Sequence, residues 1–96
     1  MQFVVYALDR PGTGEARLQH RDAHRARLRD NPLIVVSAGP LFADDGETPI
    51  GSIFVLQAET LDAAKAFMAE DPFVTNAIYQ PLAIHPFTWT IRTPSA

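Results

Sequence analysis

The sequence predicts an α+β fold with the element order βαββαβ. Three observations point there. Four short stretches are rich in β-branched and aromatic residues, as strands are. Two longer stretches of Ala, Leu and charged residues have no internal Pro or Gly, as helices do. Between them, Pro, Gly and Asp clusters punctuate the chain. Ninety-six residues suit a single domain spanning 1–96. A chain of that size buries roughly two thirds of its unfolded surface, so its stability margin is thin.

The first strand is Q-F-V-V-Y-A-L-D (2–9), ended by Pro11 and Gly12. Residues 14–30 form the first helix, stopped by Asn31-Pro32. L-I-V-V-S-A-G (33–39) is the second strand, closed by Gly39-Pro40. D-D-G-E-T-P (44–49) is a turn cluster leading into the third strand, I-G-S-I-F-V-L-Q-A (50–58), so strands two and three make a hairpin. Thr60 is a suitable N-cap for a second helix over 61–70, with Asp62 well placed in its first turn. The last strand is L-A-I-H-P-F-T-W-T-I (82–91), where Pro86 implies an edge or a bulge. The tail, about 92–96, is expected to fray. This order is the split-βαβ, ferredoxin-like arrangement: a four-stranded antiparallel sheet with two helices on one face.

The sheet's other face poses a problem. Strand one is apolar on both sides, with Phe3, Val5 and Ala7 against Val4, Tyr6 and Leu8. Strand three repeats the pattern with Ile53 and Val55 against Phe54 and Leu56. Two helices cannot cover both sides, and a bare apolar sheet face is larger than monomers normally tolerate. The expected remedy is a two-fold homodimer through the open face.

Composition narrows the function. The net charge of −3 argues against nucleic acid, whose phosphates need a basic face. The absence of cysteine removes disulfides, thiolate nucleophiles and cysteine metal sites, and fits a reducing cytoplasm. No apolar run approaches the ~20 residues that span a bilayer, and the amino terminus reads as a strand rather than a leader.

Two places break local rules. On the first helix, Arg17, Arg21, His24 and Leu28 share an arc of about 60°, flanked by His20 and Arg27. A sheet-packing helix would carry Leu or Ile there. Either the alanine side (Ala16, Ala23, Ala26) faces inward and the basic stripe is solvated, or the stripe lines a cavity. His20 and His24, at i and i+4, also suit a metal pair, but a third ligand is not apparent and no H-E-x-x-H occurs. The second anomaly is Glu70 and Asp71, two acids at the negative end of the second helix, where each costs roughly 0.3–1 kcal/mol. Asp71-Pro72 suits an N-cap followed by a first helical residue, so Asp71 can start a short turn in P-F-V-T-N-A. A carboxylate waiting for a cation is the other reading, and two oxygens allow both.

The motifs R-D-A-H (21–24), S-A-G-P-L (37–41), I-G-S (50–52), T-L-D-A-A-K-A-F (60–67), D-P-F (71–73) and I-H-P-F (84–87) follow in an order that resembles the YciI-like (YCII-related) family. The resemblance covers nearly the whole chain. It implies the fold of the dimeric α/β barrels, in which the open sheet face packs on a twin. It also implies a pocket with a catalytic His and Asp, which here are His24 and Asp71, with Arg21 and Gly39 at substrate-binding motif positions. One departure stands out. Relatives often carry glycine a few residues after D-P-[FY], where this chain has Thr75-Asn76-Ala77.

A histidine beside a carboxylate can take and return a proton near neutral pH. Arg21, one turn away, suits an anionic substrate oxygen. With no G-x-S-x-G turn or phosphate loop, the expected activity is cofactor-free and metal-free proton transfer on a small enolisable or phenolic molecule: elimination, isomerisation or tautomerisation. Some relatives in the resembled family dehydrochlorinate chlorinated aromatics. The alternative is a non-catalytic module binding a small anion or metabolite; a third reading makes His24–Asp71 a purely structural pair. Asp44-Asp45-Gly46-Glu47 is too short for a calcium loop and reads as a turn. His85 reads as a packed or interface residue, Tyr6 and Trp89 as core or dimer-face aromatics, and Ser37 and Ser52 carry no assignment.

Overall fold

The computed structural model describes residues 1–92; apart from Arg92, the tail expected to fray lies outside the described residues. The elements are β1 (Gln2–Leu8), α1 (Gly14–Arg29), β2 (Val35–Phe42), β3 (Pro49–Gln57), α2 (Leu61–Ala69), α3 (Pro72–Thr75) and β4 (Ala83–Phe87). The strands form one antiparallel sheet in the order β2-β3-β1-β4, the ferredoxin-like α+β arrangement, with the helices on one face. Among the described residues, no helix is long and apolar enough to cross a membrane.

Phe3, Val5 and Ala7 of β1 and Phe54 and Leu56 of β3 point to the helices. They pack with Ala64 and Met68 of α2, Phe73 of α3, and Ile78 and Tyr79. Phe3, Phe54, Phe73, Leu56, Met68 and Ile78 are fully buried, and each such side chain contributes about 1.5–3 kcal/mol. Gly51 lets β3 approach β1 closely, because a Cβ there would run into the carbonyl oxygen of Ala7.

Two strands depart from the expected bounds by more than a residue, and β2 begins at Val35 rather than at residue 33. β2 does not stop at Gly39-Pro40 but runs on to Phe42, with Pro40 opposite Ser52. A proline is tolerated there because β2 lies at the sheet edge and pairs only with β3. β4 ends at Phe87 rather than continuing to residue 91; as expected, Pro86 sits in an edge strand. The turn at 44–49 is held by Asp45, whose carboxylate accepts from the amides of Glu47 and Thr48 and the hydroxyl of Thr48. Those bonds pull its acid down to about 2. Gly46 takes the positive φ of +73° that the turn requires.

The caps explain how the chain enters the site. Thr60 accepts from the amide of Ala63 and starts α2. Asp71 accepts from the amide of Phe73 at 2.8 Å and starts α3, with Pro72 as its first residue. So Asp71 stands at the positive end of a new helix, not the negative end of the old one. The last turn of α2 receives its cation from α1: Arg27 donates to the carbonyl of Phe67 at 2.6 Å and lies over the Phe67 ring. α3 closes on Ala77 in the left-handed region, φ 56°. That conformation costs a side-chain-bearing residue about 1–2 kcal/mol.

On the far side of the sheet, Val4, Tyr6 and Ile53 are uncovered by any helix; Tyr6 is 48% and Ile53 39% exposed. Beyond β4, Trp89 turns back onto this face, donates to Gln2 Oε1 at 2.7 Å and meets Phe87 edge-on. It borders a hollow lined by Ser37, Gly39, Ile53 and Val55. Tyr6 and Trp89 are therefore not core residues, and His85, opposite Val4, is exposed on the same face.

Candidate functional site

The helix face left open by the sequence is decided by packing. His24 is the buried residue of α1, Leu28 packs against the core, and Ala23 is exposed. The stripe Arg17–His24–Leu28 thus faces the sheet. Arg21, at the margin of that arc, is exposed at the mouth of a cleft. The cleft lies between α1 and the β2–β3 hairpin and has a volume of about 720 Å³, within the range of small-molecule sites. Its walls are largely apolar (Leu18, Leu28, Pro40, Phe42, Phe54, Phe73), with Arg17, Arg21, His24, Arg25 and Ser52 interrupting them.

His24 and Asp71, 47 residues apart in sequence, meet beside this cleft. Nδ1 of His24 lies 2.8 Å from Asp71 Oδ1 and 2.9 Å from Oδ2. Asp71 is fully buried and His24 is 7% exposed. A carboxylate only accepts, so Nδ1 carries the hydrogen shared with Asp71, and in the neutral imidazole Nε2 is the acceptor nitrogen. Nε2 has no hydrogen-bond partner among the described residues. The imidazole is stacked on Phe73, centroids 4.0 Å apart and planes 5° from parallel, and Phe54 meets it edge-on at 6.0 Å. Asp71 positions both groups: it caps the helix that carries Phe73 and holds the ring that Phe73 supports.

A second polar cluster adjoins the first. Arg17 donates to both Asp9 oxygens at 2.9 and 3.0 Å, to the Gly51 carbonyl at 3.1 Å and to Ser52 Oγ at 3.3 Å. Its guanidinium also lies 4.9 Å from the Phe73 ring centroid. Tyr79 donates its phenol hydrogen to Ser52 Oγ at 2.6 Å. Burial drives the Tyr79 phenol well above its ordinary value. Burial likewise raises the Asp9 carboxyl, against the opposing pull of Arg17.

Of the residues singled out from sequence, His24, Arg21 and Gly39 line the cleft, and Asp71 lies directly behind His24. Gly39 has open space where a side chain would begin. Among the described residues, no three His, Asp or Glu side chains gather as a metal-ligating group, and the His20/His24 pair acquires no third ligand. Sequence reasoning missed Asp9, Ser52 and Tyr79, and saw Arg17 only as part of the stripe. Arg17 was within reach, being two helical turns from His24 on the same arc. Ser52 shares a strand face with Phe54. Nothing in the sequence joins Tyr79 to them, because that contact depends on the turn at Ala77.

A ferredoxin-like α+β chain with a ligand-sized cleft between its first helix and its sheet has the protomer architecture of the dimeric α/β-barrel superfamily. The YCII-related domain matches residues 1–88, and the chain belongs to that family. It is 40% identical over 96 residues to an uncharacterized protein of Haemophilus influenzae, covering 91% of this chain and 96% of that one. It is 35% identical over 94 residues to protein YciI of Escherichia coli, with the same coverage. Among solved structures it is similar to 5-chloro-2-hydroxyhydroquinone dehydrochlorinase (TftG) of Burkholderia phenoliruptrix in complex with 2,5-dihydroxybenzoquinone. There the TM-score is 0.82 and the identity 26%, over 92% of this chain and 94% of that one. It shares its fold with SnoaB, a cofactor-independent oxygenase of Streptomyces nogalater, at a TM-score of 0.56 and 18% identity over 98% of this chain and 96% of that one.

Proposed function

We propose that this protein is an enzyme that moves a proton, without cofactor or metal, on a small phenolic or enolisable molecule held in the cleft. The observation that carries the reading is the buried His24–Asp71 contact beside a cavity of ligand size. Nε2 of His24 takes a proton from a substrate carbon or oxygen. Asp71 keeps the ring in that tautomer and stabilises the imidazolium as it forms. The same nitrogen returns the proton at another atom in an isomerisation, or the substrate expels a leaving group in an elimination. Arg21 and Arg25 at the mouth favour an anionic substrate, and Gly39 leaves room for it. The likeness to a dehydrochlorinase that binds a dihydroxyquinone supports a planar, acidic hydroxyl compound.

The reading includes a homodimer formed through the open sheet face, where Tyr6, Ile53 and Trp89 remain exposed. A cysteine-free composition suits a cytoplasmic location. The second reading, a non-catalytic module for a small anion, draws on the same cleft and its arginines.

Solvent-deuterium exchange separates the two. Hydroxyquinones and phenolic or enolisable acids are incubated with the protein in D2O and followed by NMR. An enzyme accelerates exchange or turnover, and His24→Ala and Asp71→Asn each lose about 10²–10⁴-fold of it while remaining folded. A binding module shows ligand-induced thermal stabilisation with no acceleration in the wild type, and that result would end the catalytic reading.

A further inference from the structure

The cleft is larger than its reacting end needs. Its volume of about 720 Å³ is that of roughly two dozen waters in the liquid. A single hydroxylated ring set against His24 fills a minor part of it. Much of the remainder lies toward the β2–β3 turn. Arg17 donates to the Gly51 carbonyl, so the first turns of α1 run beside that end of the hairpin. There Leu18 stands on the helix bank, with Pro40, Phe42 and Pro49 on the strand bank. Leu18 is 66% and Phe42 46% exposed, and neither packs against the core. Single exposed apolar side chains are ordinary, but these two line one hollow that is continuous with the His24 site. Gly14, on the same stretch of helix, has open space where a side chain would begin, so the start of α1 leaves this end open.

We propose that this end of the cleft is a groove for an apolar arm of the substrate, with Leu18 and Phe42 as specificity-determining residues. The ligand is then a phenolic or enolisable head carrying a hydrocarbon or second-ring extension. The inference rests on the proposed substrate class and adds the part of the molecule that lies away from the reacting atom. Two neighbours select an apolar arm over a charged or polar one. Glu15, exposed on the same margin, repels an anionic arm, and the Thr48 hydroxyl is already committed to Asp45. Each methylene that such an arm takes out of water is worth about fourfold in affinity. Binding energy gained so far from the reacting atom can hold the head in place against His24.

The test uses 4-alkylresorcinols with chains from methyl to hexyl, and hexanol as an arm without a phenolic head. Affinities for wild type, Leu18→Gln, Phe42→Thr and the double variant Leu18→Gln/Phe42→Thr are measured by titration calorimetry, with circular dichroism to check the fold. Gln suits a helix surface and Thr a strand, so both exposed positions tolerate the change. In the wild type, affinity is expected to rise about threefold to fourfold per methylene and to level off once the groove is full. The double variant should lose most of that rise, its deficit growing from small for methyl to about tenfold to a hundredfold for hexyl. Each single variant should lose part of it, which keeps the test decisive if the double variant folds poorly. A flat series in the wild type overturns the groove; if the resorcinols still bind, and bind more weakly to His24→Ala, the reading of the cleft stands. A rise that persists in the folded double variant also overturns the groove, because the chains then bind elsewhere, such as the open sheet face. Equal affinity for hexanol and hexylresorcinol upholds the groove and overturns the phenolic head. A wild type that binds none of these compounds overturns both.

Discussion

The carboxylate of Asp71 holds Nδ1 of His24 at 2.8 and 2.9 Å from across the fold, and it does so while capping the helix that begins at its own C-terminal side. One buried residue thus serves a structural and a polar contact at once, and conservative substitution separates them. Asn caps a helix about as well as Asp, and its oxygen can still accept from Nδ1. Asp71→Asn is therefore expected to change unfolding free energy by less than about 1 kcal/mol but to abolish most of the proposed proton transfer. Asp71→Ala loses a cap of about 1 kcal/mol and strands a buried imidazole N–H at about 1–3 kcal/mol. Urea denaturation beside an exchange assay reads both. Strong destabilisation by Asn, with no ligand bound, would mean that the pair is purely structural.

Arg27 and Glu70 test which contact stabilises the end of α2. Arg27 is mostly buried and donates to the Phe67 carbonyl; Glu70 lies 3.7 Å from Arg27 but is 82% exposed. A charge-assisted bond of the first kind is worth about 1.5–3 kcal/mol, whereas an exposed ion pair is worth about 0–1 kcal/mol. Arg27→Met is expected to lower stability by about 1–3 kcal/mol, somewhat offset because its buried Nη1, unpartnered among the described residues, disappears too. Glu70→Gln should be close to neutral in thermal melts.

Ala77 holds a left-handed conformation that glycine adopts freely. Relief of that strain outweighs the extra chain entropy of glycine in the unfolded state, so Ala77→Gly should stabilise by up to about 1 kcal/mol. The denaturant midpoint should rise with an unchanged slope. A fall in the midpoint would show that the Ala77 methyl makes contacts worth more than the strain.

Alkaline stability follows from Tyr79. Its folded-state acid lies above the ordinary value of 10.0 because of burial first, with Asp71 adding to the rise. The folded chain keeps the proton after the unfolded chain has released it. The contribution is therefore intact below about pH 10 and is lost as pH rises beyond it, at up to about 1.4 kcal/mol per pH unit. Denaturant midpoints from pH 9 to 12 should fall more steeply for the wild type than for Tyr79→Phe.

The open sheet face predicts self-association. Wild type is expected to elute as a dimer in size-exclusion chromatography with light scattering, and Ile53→Lys as a monomer of the same fold, because Ile53 is 39% exposed and outside the core. A monomeric wild type at micromolar concentration would remove the dimer from the proposed function.

Much of the fold was legible from local chemistry. β-branched runs, the Thr60 and Asp71 caps and the edge proline Pro86 each follow from a property of one residue and its neighbours. β2 was read too short because Gly39-Pro40 breaks most strands, and only the pairing order reveals that this strand lies at an edge. The candidate site was partly legible: spacing put Arg17, His24 and Leu28 on one arc, and a departure from helix rules singled out Asp71.

What the chain alone determined is the set of elements, their order, and two residues whose types do not suit their local positions. Only the tertiary structure decided that the basic arc turns inward, that the capping carboxylate of Asp71 lies against His24, and that Tyr79 reaches Ser52 beside Arg17. The reason is range. Propensity, capping and periodicity act over a few residues, whereas the direction a helix face takes, and which polar groups share a cavity, depend on packing between segments as far apart as 47 residues.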